Sequence, residues 1–295
     1  MGSPFDPCLS GLDEDTRRYF ALRPYVIQHL LWSAEIQGDR ITIKSEEINP
    51  TEHVCGHRCQ IREFSRGARL RMLKWIAAID WNRSRQGLWI NLSYPPGWEW
   101  VDSRTRNSHL DQFHAYMENH LDREIPLLWR VEWAKRKTGW TKGFWAPHFH
   151  LITFKGRYID KWTVKKWWKK ILDHRGAIST KIDGLHGEKK FGVYIAKYAS
   201  KPAACGALGD VTYPKVTGRH WGTLRKAKVP LRPLKKFVAL SPRVIAQLQE
   251  FAARKLPDYR PESDLGFTLL GKKTRDWSEE IEKICLDGGC LPIVE

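Results

Sequence analysis

Leu127-Leu-Trp-Arg-Val-Glu-Trp133 and His148-Phe-His-Leu-Ile-Thr-Phe154 are two short runs rich in apolar and aromatic residues, joined by a Lys/Gly/Thr-rich loop. That pattern predicts an antiparallel hairpin. Upstream, Ser65 to Asp80 has Ser at a plausible N-cap and Leu70, Leu73, Ile76 and Ile79 at helical spacing, which predicts a helix. Gly87-Leu-Trp-Ile-Asn-Leu-Ser-Tyr94 reads as a strand stopped by Pro95-Pro96-Gly97, and a helical segment follows from about Ser108 to Leu121. Downstream, Lys161 to Leu172 places Val164, Trp167, Trp168 and Ile171 near one stripe and Trp162 with the lysines on the opposite face. Gly176 to Ile182 supplies another strand, and Gly192 to Lys201 a helix ended by Pro202. Strands in hairpins with helices between them predict an α+β fold, an antiparallel sheet covered by helices.

The flanks read differently. Residues 1–60, with a mostly apolar run from Tyr25 to Trp32 and a short alternating strand at Arg40 to Lys44, look like an appended segment. Residues 61–241 form the central domain, and 242–295 a helical or irregular extension. Charge follows the same division. The 295 residues carry 50 Lys+Arg against 33 Asp+Glu, a net charge of +17. Residues 51–241 hold 37 of the basic and 15 of the acidic side chains, while both flanks are slightly acidic. Basic charge gathered on one block is the footprint of a nucleic-acid partner, because Lys and Arg that neutralise phosphates release counterions. Several of the fifteen tryptophans, among them Trp140, Trp145, Trp162, Trp167, Trp168 and Trp221, sit among these cations, where an exposed ring can stack on an unpaired base and a buried one packs in the core.

No stretch approaches the ~18 apolar residues of a membrane span, and the first residues lack the pattern of a signal peptide, so no membrane partner and a cytoplasmic location are expected. Six cysteines with no secretory signal point to reduced thiols. Cys55 and Cys59 lie near His53 and His57, and Cys285 and Cys290 near the far end, but CxxxC and CxxxxC miss the tight pairs of common zinc ribbons. Gly266 to Thr274 brushes against the phosphate-binding pattern GxxxxGK[ST], yet Lys273 stands at the hydroxyl position, so no motor is expected here.

The chemistry centres on His148-Phe149-His150. In a strand, side chains at i and i+2 share a face, so both imidazoles can reach one divalent ion while Phe149 points into the core. Glu132, flanked by the apolar Val131 and Trp133, projects from the face opposite to theirs. In a paired hairpin this can be the histidine face, giving two imidazoles and a carboxylate with open positions for phosphate and water. Tyr194 and Tyr198 are four apart, so on a helix both phenols can face one site, and Lys197 and Lys201 each follow a tyrosine by three positions. An ammonium there can favour the phenolate, hold a phosphate, or protonate a leaving oxygen.

Together these motifs resemble those of the HUH endonucleases, and among them the two-tyrosine rolling-circle replication initiators of phages and plasmids. Trp89-Ile-Asn-Leu-Ser-Tyr-Pro95 is similar to the first family motif, Pro147-His-Phe-His-Leu-Ile152 to the second, and Tyr194 to Lys201 to the third. Glu132 sits where many members carry an acidic metal ligand, and Gly218-Arg-His-Trp-Gly222 resembles a stretch of some phage-type initiators. The resemblance covers about residues 62–225. It implies a palm of about five antiparallel strands, similar to RNA-recognition-motif folds, with a magnesium or manganese ion at its centre and the tyrosine helix beside it. It further implies cutting and rejoining of single-stranded or hairpin origin DNA through a 5′-phosphotyrosine, with Tyr194 and Tyr198 as nucleophiles, Lys197 and Lys201 as their partners, and a host helicase and replication machinery alongside. A two-tyrosine transposase of the same superfamily, or an inactive single-stranded DNA-binding relative, would share these residues.

Overall fold

The computed structural model describes residues 30–47, 64, 66–84, 87–137, 141–154, 158–185, 218–257, 259, 266–270 and 274–294. In chain order the elements are β1 (Leu30–Gln37), β2 (Arg40–Glu47), α1 (Arg66–Ala77), β3 (Gly87–Ser93), α2 (Ser103–Leu121), β4 (Leu127–Lys135), β5 (Trp145–Thr153), α3 (Lys161–Ile171), β6 (Thr180–Leu185), β7 (Trp221–Leu224), β8 (Lys235–Val238), α4 (Pro242–Lys255), β9 (Phe267–Leu270), α5 (Thr274–Asp287) and β10 (Ile293–Val294). They fall into two compact units, Arg58–Leu231 and Met1–His57 with Arg232–Glu295. Each carries one five-stranded antiparallel sheet, so the chain is α+β.

In the Arg58–Leu231 unit the strand order is β6-β3-β5-β4-β7. The β4–β5 hairpin sets its register, with Glu132 opposite His148 and Arg130 opposite His150. Because side chains alternate across a strand, one face of the sheet carries Ile90, Leu92, Trp129, Val131, Phe149 and Leu151, all buried in one core. Helices α2 and α3 cover that face through Leu110, Phe113, Met117, Val164 and Trp168. Asp102 starts α2 by accepting from the Arg104 and Thr105 N–H groups, and Asp160 starts α3 in the same way at Trp162 and Thr163. Each cap satisfies N–H groups that have no partner within the helix. The Asp102 cap is why α2 begins at Ser103 and not near Ser108. Trp168, fully buried, donates from its indole N–H to the Ser93 carbonyl at 2.9 Å and meets Tyr94 edge-on, which pins the end of β3 to α3.

The other face is partly covered by α1. The stripe expected at Leu70, Leu73, Ile76 and Ile79 is rotated: Leu70 is exposed, and Met72, Ile76 and Ile79 are buried with Phe64, Trp89, Leu128, Ile152 and Phe154. Trp75 packs edge-on against Phe154 and helps to set that rotation. The strand expected at 176–182 lies at Thr180–Leu185, since pairing begins where β3 offers a partner, Leu92 opposite Thr180. On α3, Trp162 is exposed with Lys161 and Lys165 over its ring, while Trp167 is half-buried.

The other unit has the order β10-β8-β1-β2-β9. The β1–β2 hairpin turns at Gly38, whose φ of 60° favours glycine. Trp32, Ala34, Ile36, Ile41 and Ile43 alternate into a core shared with Phe237, Leu269 and the apolar faces of α4 and α5. Cys285 is buried in that core, and neither it nor Cys290 is in a disulfide. The Gly266–Thr274 stretch supplies β9 at the edge of this sheet and the first residue of α5. No helix among the described residues is long and apolar enough to cross a membrane.

Candidate metal centre

The register that buries Phe149 in the core puts His148, His150 and Glu132 together on the opposite face. Glu132 Oε2 lies 3.7 Å from His148 Nε2 and 3.6 Å from His150 Nε2. One ligand atom from each falls within 4.8 Å of the others, and among the described residues this is the one such group. Three donors at right angles around a magnesium-sized ion stand about 3 Å apart. The observed spacings, 3.6 Å and 3.7 Å from Glu132 to the two imidazoles with all three atoms inside 4.8 Å, are wider than this, but two imidazoles with one carboxylate form a donor set that divalent ions accept, so the residues present fit a metal ion by their chemistry.

Their surroundings aim them. Arg130, two residues before Glu132 and therefore on the same face, places a guanidinium nitrogen 3.2 Å from Glu132 Oε1. One carboxylate oxygen thus engages the cation and the other faces the imidazoles. His148 donates from Nδ1 to the Ala146 carbonyl at 3.3 Å, a contact that favours the tautomer with a lone pair on Nε2. His150 stacks on Trp89 at 6.0 Å and meets the His148 ring edge-on at 4.7 Å. Glu132 and His150 are buried, and His148 is the more accessible of the three.

Burial raises the proton affinity of the Glu132 carboxyl, but the facing His148 and His150 imidazoles and the Arg130 charge outweigh it and hold the group well below the usual carboxylate range. Burial pushes His150 down to about 4, with Glu132 opposing and His148 and Arg130 reinforcing. At neutral pH the site therefore presents a carboxylate and an unprotonated His150, the forms that bind a metal.

Residues outside the expected set join this face. Asn91 is in register with His150 and Ser93 with His148, and Asn91 Oδ1 is buried with no hydrogen-bond partner among the described residues. Both belong to the first motif, and counting residues two apart from Trp89 would have found them, as it would have found Arg130 from Glu132. Tyr194, Lys197, Tyr198 and Lys201 lie outside the described residues, as do Cys55 and Cys59.

Residues 87–203 match the model of the family described as Replication-associated protein ORF2/G2P. The matched stretch contains Glu132, both histidines and both tyrosines, and the similarity is consistent with a rolling-circle Rep-type protein and a role in DNA replication. No curated protein and no solved structure matches the chain.

Proposed function

We propose that this protein is a metal-dependent, site-specific single-strand DNA endonuclease and strand transferase that starts and ends rolling-circle replication. The observation that carries the reading is the buried cluster of Glu132, His148 and His150, with its ligand atoms within 4.8 Å of one another, inside a stretch similar to a replication-associated family. Glu132, His148 and His150 would hold a magnesium or manganese ion, which would supply Lewis acidity toward a phosphate oxygen and offset charge that grows in the transition state. The facing His148 and His150 imidazoles, with the Arg130 charge, keep the Glu132 carboxylate ionised, and Arg130 holds the oxygen that does not face the histidines.

Tyr194 or Tyr198 is the nucleophile. Its phenolate oxygen forms a bond to phosphorus as the bond from phosphorus to the 3′ oxygen breaks, leaving a 5′-phosphotyrosine and, once that oxygen takes a proton, a free 3′-hydroxyl. Lys197 and Lys201 hold the phosphate or supply the proton. Rejoining is the reverse attack by a 3′-hydroxyl, and it needs no ATP because the phosphodiester energy stays in the tyrosyl ester. Two tyrosines allow a second transesterification before the first ester is released. Unwinding falls to a host helicase.

The test is incubation of the protein with labelled single-stranded phage or plasmid origin DNA and a manganese or magnesium salt, read on denaturing gels and by mass spectrometry of the peptides holding Tyr194 and Tyr198. The expected result is a nucleotide adduct on one of them that chelator abolishes. Salt-sensitive binding without adduct across a broad origin panel would sink the nuclease and leave transposon ends, or binding alone, as the role.

A further inference from the structure

Between α1 and β7 lies a groove of about 430 Å³, within the ~300–1,000 Å³ range of small-ligand pockets. Phe64, Arg71 and Trp75 line one side, and Arg219, Trp221 and Lys226 the other. The three cations are exposed, and no carboxylate lines the groove among the described residues. His220 also lines it. That ring is 6% exposed, and its Nε2 has no hydrogen-bond partner among the described residues, nor does the buried indole nitrogen of Trp75. Burial, then the charges of Arg106 and Arg130, push His220 down to about 4, so at neutral pH it offers both a donor and an acceptor.

The Gly218–Gly222 stretch builds this wall. At Gly218, φ is 98° and a Cβ would stand 2.4 Å from the Ser103 Cβ; at Gly222 a Cβ would press on the Trp129 ring at 3.0 Å. The two glycines thus let the strand lie tight against α2 and β4, presenting Arg219, His220 and Trp221 between them. The His220 carbonyl accepts from Val131 N–H at 2.9 Å, and Trp221 is in register with Arg130. Arg130 links the groove wall to the candidate metal centre: its guanidinium lies 4.7 Å over the Phe64 ring and 3.2 Å from Glu132.

We propose that this groove seats one unpaired nucleotide of the DNA strand beside the scissile phosphate, with its base against Trp75 and Trp221, its edge read by His220, and the flanking phosphates on Arg71, Arg219 and Lys226. Aromatic faces and cations together suit an unpaired nucleotide, whose base face is open to stacking, whereas a duplex hides its base faces. The proposal rests on the single-strand reading of the preceding subsection and assigns the Gly218–Gly222 stretch as a strand-positioning element.

The experiment is ultraviolet cross-linking of the full chain to an oligodeoxythymidylate carrying 5-iododeoxyuridine, with the attached peptides identified by mass spectrometry, alongside salt titrations of binding. Cross-links are expected at Trp75 or Trp221. Arg71→Gln, Arg219→Gln and Lys226→Gln combined should flatten the slope of log affinity against log salt by about 2, at roughly 0.7 per single-strand phosphate contact. Cross-links confined to other peptides, or an unchanged slope in the folded triple variant, would overturn the groove, as would stronger cross-linking to the RNA counterpart. If the triple variant does not fold, the cross-link positions in the unaltered protein decide. A tyrosine adduct without a groove cross-link removes the groove and keeps the nuclease; a groove cross-link without an adduct does the reverse.

Discussion

Replacing His220 with glutamine should remove about 3 kcal/mol of acid-dependent destabilisation from the Arg58–Leu231 unit. The imidazole lies between Phe64 and Trp133, and burial, with the Arg106 and Arg130 charges facing it, takes its pKa from 6.5 down to about 4. A depressed pKa means that, between these values, the unfolded chain binds a proton the folded chain refuses. The stability contributed by the neutral ring is complete above pH 6.5, falls as pH drops, and is gone below about 4. The slope approaches 1.4 kcal/mol per pH unit, which gives roughly 3 kcal/mol over the window. His150, also lowered to about 4, adds a parallel slope, so the difference between wild type and His220→Gln is the quantity to measure. Hydrogen exchange of β4 and β5 peptides in urea, at steps from pH 7.5 to 4.5, reads the stability of this sheet. Glutamine loses the ring contacts, so the plateau falls at every pH, and the test lies in the slope. Equal slopes in both proteins, or an imidazole NMR titration centred near 6.5, would refute the reasoning.

Trp168→Ala should cost about 3–5 kcal/mol, since it empties a fully buried site and removes the bond to the Ser93 carbonyl; chemical denaturation checks it, and a loss below 1 kcal/mol would mean that the helix does not anchor β3. Gly218→Ala should destabilise by about 1–3 kcal/mol, because the backbone is at positive φ and the new methyl meets Ser103, and thermal melts will show it. His148→Ala should abolish nicking while largely sparing salt-sensitive DNA binding, measured by gel assay and fluorescence anisotropy; loss of both together would make the histidine structural.

The grouping of Glu132, His148 and His150 on one face was legible in the sequence because it depends on parity alone: two histidines at i and i+2, and a glutamate set between Val131 and Trp133, are assigned to one face once the two runs pair. Helices α1 and α3 were legible from their apolar stripes, though α1 is rotated by Met72 and Trp75, while the helix expected at Gly192 to Lys201 lies outside the described residues. What stayed hidden depends on partners far away in the chain. The groove exists because β7 pairs with β4, so that Trp221 stands beside Arg130 across some ninety residues. The second sheet exists because Ala34 pairs with Phe237 and Ile41 with Leu269, and no local periodicity carries that information.

That pairing has a consequence for synthesis on the ribosome. The five strands of the sheet that carries Glu132, His148 and His150 are all made once Leu224 has been added, whereas β1 and β2 must wait for β8 and β9, made after residue 234. At 5–20 residues per second this wait is roughly 10–40 s, during which both edges of an early hairpin stand open to other nascent chains. A product broken off between the two events would contain every strand of the first sheet but could not complete the other. Partial translation would thus separate the two units without any protease.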